Sequence, residues 1–388
     1  MKKKQDTKLV HSGSYPEKQG GSVNPPIYHA STVSKPSVAA LELARQEPDD
    51  NFLYGRHGTP TSRAFEETVA ALEGGDACIA VGSGLSAITT AMLAFVKQGD
   101  HVLVCDSAYS PTRNFSEKFL KRFGVETTYY DPFIGTEIKR HFQDNTKVIY
   151  TESPGSHSFE IQDIPAIAEQ CHKSEIKVVM DNTWSAGYFF KPFNHGVDVS
   201  VQAATKYYVG HSDAMLGAVT TKAEDFAAIR DSARILGYHA APDDAYLGLR
   251  GMRTLASRLK RHEKNALIVA DWLKTRPEVH TLLHPAFPSC PGHQIWKRDF
   301  TGSSGLFSIL LNEYSEDAVA AMIDGLELFA LGGSWGGYES LVWKTQLTRS
   351  ATKWDSTKPC IRLHVGLEDP DDLIADLTEG LDRLNNFS

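Results

Sequence analysis

The chain has 388 residues, with 40 lysines plus arginines against 48 aspartates plus glutamates, a formal charge of −8, and 41% hydrophobic residues. That composition excludes a disordered, collagen-like or disulfide-built chain, and at roughly 100 to 200 residues per domain it suggests two or three domains, each with its own core. Net acidity argues against a nucleic-acid partner, and five cysteines without a C-x-x-C pair suggest neither a disulfide framework nor a cysteine zinc site.

The start, MKKKQDTKLVHSGS, carries positive charge with no apolar run behind it, so no signal peptide is read and a cytoplasmic protein is expected. Lys2 to Lys4, and the later run Arg258 to His262, read as solvated faces. Residues 1–57 are rich in Gly, Pro and Ser and read as an extended arm. Pro60 and Thr61 open a helix-period stretch that stops at Gly74. Strand-like runs follow at Cys78–Val81, His101–Cys105, Val125–Tyr130, Lys147–Thr151, Ile176–Asp181 and Val197–Gln202. Helical stretches separate most of them, among them one begun by Ser110 with Pro111 and one by Asp163 before Pro165. Residues 77–96 reach membrane-spanning length, but Gly82, Ser83, Gly84, Ser86, Thr89 and Thr90 divide them into strand, turn and helix, so no membrane span is expected. Alternating strands and helices predict an α/β fold with a mostly parallel sheet over 58–250. From 243 to 276 one long amphipathic helix is expected. Strand-like pieces at 305–311 and 361–365 and helical pieces near 315–324 and 370–384 then give a smaller α+β domain over 251–388.

Three motifs compete for the chemistry. Gly82-Ser-Gly84-Leu-Ser-Ala87 fits a dinucleotide fingerprint with Asp106 about 20 residues on, and its physics suits any phosphate: glycines admit a close approach and a helix N-terminus offers free N–H groups. Gly332-Gly-Ser334-Trp-Gly336 fits a hydrolase nucleophile elbow, with Asp355 and His364 following in order, although only 54 residues remain after Ser334. Third, Asp181 ends one strand and Lys206 follows another. Together they suit pyridoxal phosphate, which needs a lysine amine and a carboxylate that keeps its pyridine nitrogen protonated. The third reading gathers the rest. Gly84, Leu85 and Thr205 can hold a phosphate, Tyr109 can lie on a ring, and Arg362 can clamp a substrate carboxylate with a bidentate fork. No histidine spacing suggests a metal, and His57 and His211 read as local hydrogen-bond partners. Trp184 and Tyr207 read as packing residues, and Cys78 and Cys105 as small core hydrophobes.

The stretches YGRHGTPT (54–61), GSGLSAIT (82–89), DNTWSAG (181–187), QAATKYYVGHSDAMLG (202–217), KRDFTGSSGLFS (297–308), SWGGYESL (334–341) and IRLHVGLED (361–369) resemble the Cys/Met-metabolism family of pyridoxal-phosphate enzymes, over about residues 8–385. The resemblance implies the aspartate-aminotransferase-like fold (fold type I). It implies that Lys206 carries the cofactor, Asp181 faces its pyridine nitrogen and Tyr109 stacks on its ring. Gly84, Leu85 and Thr205 would bind the phosphate, with Tyr54 and Arg56 reaching in from a neighbouring subunit. Arg362 would bind the substrate carboxylate, lined by Ser334, Trp335 and Tyr338. Lys206, Tyr109 and Tyr54 would be the proton-transfer groups. Shared sites imply a dimer at least, and the family's usual assembly is a homotetramer, a dimer of dimers.

Two positions depart from the wider family: Ala203, where many relatives have Ser, and Ser156, where γ-acting members have Asn. Both resemble the bacterial β-lyase branch, which implies α,β-elimination from L-cysteine S-conjugates, L-cystathionine foremost, to a thiol, pyruvate and ammonia. A γ-acting relative and, more distantly, an NAD-dependent oxidoreductase are the alternatives.

Overall fold

The computed structural model describes residues 3–46 and 51–387, so Lys2 of the expected solvated run lies outside the described residues. Seven strands form the first sheet: β1 (Ala77–Val81), β2 (His101–Cys105), β3 (Glu126–Tyr130), β4 (Thr146–Glu152), β5 (Lys177–Asp181), β6 (Val199–Gln202) and β7 (Gly217–Thr221). Their order is β1-β7-β6-β5-β4-β2-β3, and only β7 runs against the others. The central strands are buried on both faces, Val102, Leu103, Val148, Ile149, Val178 and Val179 having no exposure at all, as a sheet covered by helices on both sides requires.

Five strands form the second sheet: β8 (Val279–Leu283), β9 (Leu306–Leu311), β10 (Ala330–Leu331), β11 (Leu341–Thr345) and β12 (Cys360–His364), in the order β10-β11-β12-β9-β8. Ile361 and Leu363 of β12 enter its core with Phe307, Val319 and Leu377, so the alternation of side chains turns Arg362 and His364 to the opposite face.

The expected Pro60 helix runs Pro60–Glu73. Thr59 and Ser62 cap it reciprocally, and Gly74 ends it in the left-handed region at φ 87°. Three expectations need correction. The single helix over 243–276 is two, Pro242–Met252 and Leu255–Leu273. They part where the Gly251 carbonyl turns to accept Thr254 N–H and the Arg258 guanidinium. That contact also removes Arg258 from the solvent: Arg258 is 7% exposed and His262 fully buried, leaving Lys260 as the exposed member of the run. The arm is not wholly extended either. It contains helices Gln5–His11 and Val38–Gln46, and the first is fastened by Lys260 and Tyr188 on Asp6 and by Arg253 on the Leu9 carbonyl. No helix among the described residues is long and apolar enough to cross a membrane, and residues 77–96 hold β1 and the helix Gly84–Leu93.

Candidate active site

Because β1, β2, β4, β5 and β6 are parallel, their carboxyl ends open on one edge of the sheet, where a doubly wound fold gathers its ligands. A cavity of about 390 Å³ lies there, closed on its far side by Arg362 of β12 and by Gly333, Ser334 and Trp335 of the loop after β10.

After β1, Ser83 caps the helix Gly84–Leu93 by accepting Ser86 N–H at 3.1 Å, which leaves the first-turn amides of Gly84 and Leu85 without helical partners. Glycine is required at 84, since a Cβ there would lie 2.6 Å from Ala203 Cβ. Across the cavity Thr205 Oγ1 accepts Leu216 N–H at 2.9 Å, which fixes the turn that carries Lys206.

At the end of β5, Asp181 Oδ1 accepts Thr183 N–H at 2.9 Å and Oδ2 receives only a long bond from Tyr150 at 3.4 Å. Burial raises its carboxyl above the usual range, against the pull of those hydrogen bonds, so a cationic partner would stabilise it. Its register partner on β4 is Glu152, whose carboxyl is pushed well up by burial and by the Asp181 charge, and whose Oε2 accepts Tyr109 N–H at 2.7 Å. Two adjacent half-buried carboxyls thus end neighbouring strands, both held above the usual carboxylate range, Glu152 the more strongly.

Lys206 donates to Ser334 Oγ at 2.6 Å and lies 5.4 Å from the centre of the Trp335 ring. Burial first, and the Arg362 charge second, lower its amine to about 8, so at neutral pH a usable fraction is unprotonated. Arg362 is 6% exposed, and its Nη2 donates to the Gly333 and Ser334 carbonyls at 3.0 and 3.1 Å. The ring of Tyr109 borders the cavity, and burial and Glu152 raise its phenol, keeping it protonated.

Gly84, Leu85, Tyr109, Asp181, Thr205, Lys206, Ser334, Trp335 and Arg362 therefore meet around one cavity. Tyr338 does not: it is 56% exposed and outside the lining, because the turn at Gly336 (φ 86°) carries it past the rim. Tyr54 and Arg56 also lie away from this cavity within their own chain, Arg56 donating to the Arg234 carbonyl at 2.8 Å. Trp184, read as packing, is buried with its indole N–H on the Leu306 carbonyl, yet it borders the cavity too. Glu152 and His157 line the cavity without having been singled out. Glu152 was legible as the acidic end of a strand; His157 had no spacing to mark it.

The competing motifs resolve physically. Asp106 is no ribose ligand: fully buried at its side chain, it pairs with Arg113 at 3.0 Å and accepts the N–H groups of Ser350, Ala351 and Thr352. Ser334 follows β10 in an open loop rather than a strand-to-helix elbow, and its hydroxyl meets Lys206, while His364 Nε2 faces Gly336 N–H at 3.0 Å.

The residues present fit pyridoxal phosphate. A cradle kept open by Gly84, a half-buried carboxylate at Asp181 with no ion pair among the described residues and a lysine with a lowered pKa are the three features that group requires. The family model for Cys/Met metabolism PLP-dependent enzymes matches residues 6–382. The chain is 43% identical over 391 residues to cystathionine beta-lyase MetC of Escherichia coli, covering 98% of this chain and 99% of that protein. To the cystathionine beta-lyase of Salmonella typhimurium it is likewise 43% identical over 391 residues, with the same coverage. It superposes on the crystal structure of metB from Corynebacterium glutamicum with a TM-score of 0.91 at 33% identity, over 98% of each chain.

Proposed function

Since the chain belongs to the Cys/Met metabolism family of PLP-dependent enzymes, we propose that it is a carbon–sulfur lyase that cleaves L-cystathionine, and other L-cysteine S-conjugates, by α,β-elimination to the thiol, pyruvate and ammonia. The observation that carries this reading is the convergence of Lys206, Asp181 and Arg362 on one cavity. Bound there, pyridoxal phosphate supplies the electron sink that acidifies the substrate Cα–H and lets the Cβ–S bond break. Gly84, Leu85 and Thr205 hold its phosphate and Asp181 its ring nitrogen. Arg362 takes the substrate carboxylate, and Ser334 aims the Lys206 amine, whose depressed pKa suits it to receive the Cα proton near neutral pH. Tyr109, protonated at that pH, is suited to donate to the departing thiolate. Tyr54 and Arg56 serve the site of a second copy of the chain. The strongly exposed arm residues Val23, Val38 and Leu43 support an assembly that covers them; a dimer of dimers in the cytoplasm is the form proposed.

The test is the keto acid released from L-cystathionine by the cofactor-loaded protein. Pyruvate is expected; 2-oxobutyrate would move the cleavage to the γ side and overturn the reading. Lys206→Ala is expected to abolish turnover, and retention of wild-type rate would remove the assigned base.

A further inference from the structure

The loop between β10 and β11, residues 332–340, carries Ser334 and Trp335 to Lys206, yet it holds no helix or strand of its own. Its shape must be fixed from outside. Arg362 Nη2 donates to the Gly333 and Ser334 carbonyls at 3.0 and 3.1 Å, but Arg362 is also the proposed carboxylate ligand, so that hold is shared with the substrate. Two residues along the same face of β12, His364 takes the next turn of the loop. Its Nε2 lies 3.0 Å from Gly336 N–H, and the ring is 1% exposed and outside the cavity lining, so no substrate competes for it.

Gly336 is where the loop meets the lysine. It stands at φ 86°, and a Cβ there would fall 2.9 Å from both the Lys206 carbonyl carbon and the Tyr207 nitrogen, so the turn lies directly on the backbone that bears the Lys206 side chain. Ser334, two residues earlier, then reaches the Lys206 amine at 2.6 Å. Without an acceptor, the buried Gly336 N–H would have to move to find one, and the serine would move with it. The ring is suited to hold it. Gly336 N–H can only donate, so Nε2 accepts and the ring proton sits on Nδ1; the reverse tautomer would set two N–H groups face to face. Burial first, then the neighbouring His262 and the Arg362 and Lys206 charges, hold the imidazole well below its ordinary pKa, so it remains a neutral acceptor. Tyr207 and His262 pack against it, with ring centres 6.1 and 5.2 Å away, which fixes the direction of its lone pair.

We infer that His364 is a positioning residue for proton transfer at Lys206: by accepting Gly336 N–H it holds the turn that sets Ser334 on the lysine amine. The inference rests on the assignment of the cavity to pyridoxal phosphate and of Lys206 as the base. In the cofactor-loaded enzyme, His364→Phe fills the space without an acceptor and His364→Asn stays polar but is too short to reach Gly336. Both are expected to lower kcat for L-cystathionine about 30-fold with KM within about threefold. His364→Gln, whose carbonyl oxygen reaches as far as Nε2, should recover kcat to within about threefold. A second readout needs no leaving group. Exchange of the L-alanine Cα proton in D2O should slow by the same factor in the Phe and Asn variants, while the Kd of L-alanine, followed through the cofactor's absorbance, stays within about twofold. Because the effect travels through Ser334, adding His364→Phe to Ser334→Ala should cost less than about threefold more. Unchanged kcat and exchange in the Phe and Asn variants, a loss confined to KM, a Gln variant no faster than Phe, or fully additive losses in the double variant would each overturn the role of His364. Absence of cofactor absorbance and of turnover in the wild-type protein would instead remove the reading on which it rests.

Discussion

At the scale of single residues, the site works by placing charged groups where water cannot compensate them. Arg362→Ala removes a buried charge-assisted donor, so catalytic efficiency should fall roughly 100-fold through KM, as about 3 kcal/mol of lost binding implies; steady-state kinetics checks it. Lys206 makes a stability prediction of the opposite sign. Its folded pKa of about 8 lies below the ordinary lysine value of 10.5, so the protonated amine destabilises the fold fully below pH 8, and the penalty disappears as pH rises to 10.5. In the cofactor-free protein, Lys206→Met should therefore raise stability below pH 8, by an amount on the order of 3 kcal/mol at most, with the gain fading over that window. Denaturant midpoints at several pH values test it. Asp181 and Lys206 were legible because they end or follow apolar runs, where a parallel sheet exposes its chemistry. His157 was not, because its placement depends on a left-handed backbone and on the ion pair of Glu160 with Arg349, which lies nearly two hundred residues away.

At the scale of elements, sharp boundaries do the positioning. Gly84→Ala puts a methyl into Ala203 without disturbing the Ser83 cap, so cofactor retention should fall tenfold or more while the helical circular dichroism stays unchanged. Asp106 anchors the connection between β11 and β12 through three amides and buries Arg113 with it. Asp106→Ala should cost about 3 kcal/mol, because three amides lose their acceptor and buried Arg113 keeps only the longer 3.7 Å ion pair with Glu117; thermal unfolding measures it, and hydrogen exchange should locate the loss at 350–352. Most strands of the first sheet were legible because each is a short apolar run between helices. β7 was not, since GAVTT follows a loop rich in polar residues and reverses direction. Nor was the division of the long helix, since the amphipathic period continues across Arg253 and Thr254 while the backbone turns to serve Arg258.

At the scale of the molecule, the first sheet carries the residues proposed to hold the cofactor and the second brings Arg362, the proposed carboxylate clamp, to them. The arm faces outward with apolar residues uncovered. Arg56→Ala should weaken cofactor retention only in the assembled protein, and diluting the enzyme below its dissociation range should produce the same loss; equilibrium dialysis alongside sedimentation distinguishes the two. The edge position of β1 has a further consequence. β1 pairs only with β7, 136 residues later in register at Val81 and Gly217, so the turn at Gly84 finds the wall of Ala203 and Thr205 only after that strand is made. During synthesis at roughly 5 to 20 residues per second, the ribosome extrudes the phosphate cradle's first half well before its second, and Arg362 later still. A chain interrupted between β7 and β12 would carry Lys206 without the Arg362 charge that helps to lower its amine and without the group proposed to select what reaches it.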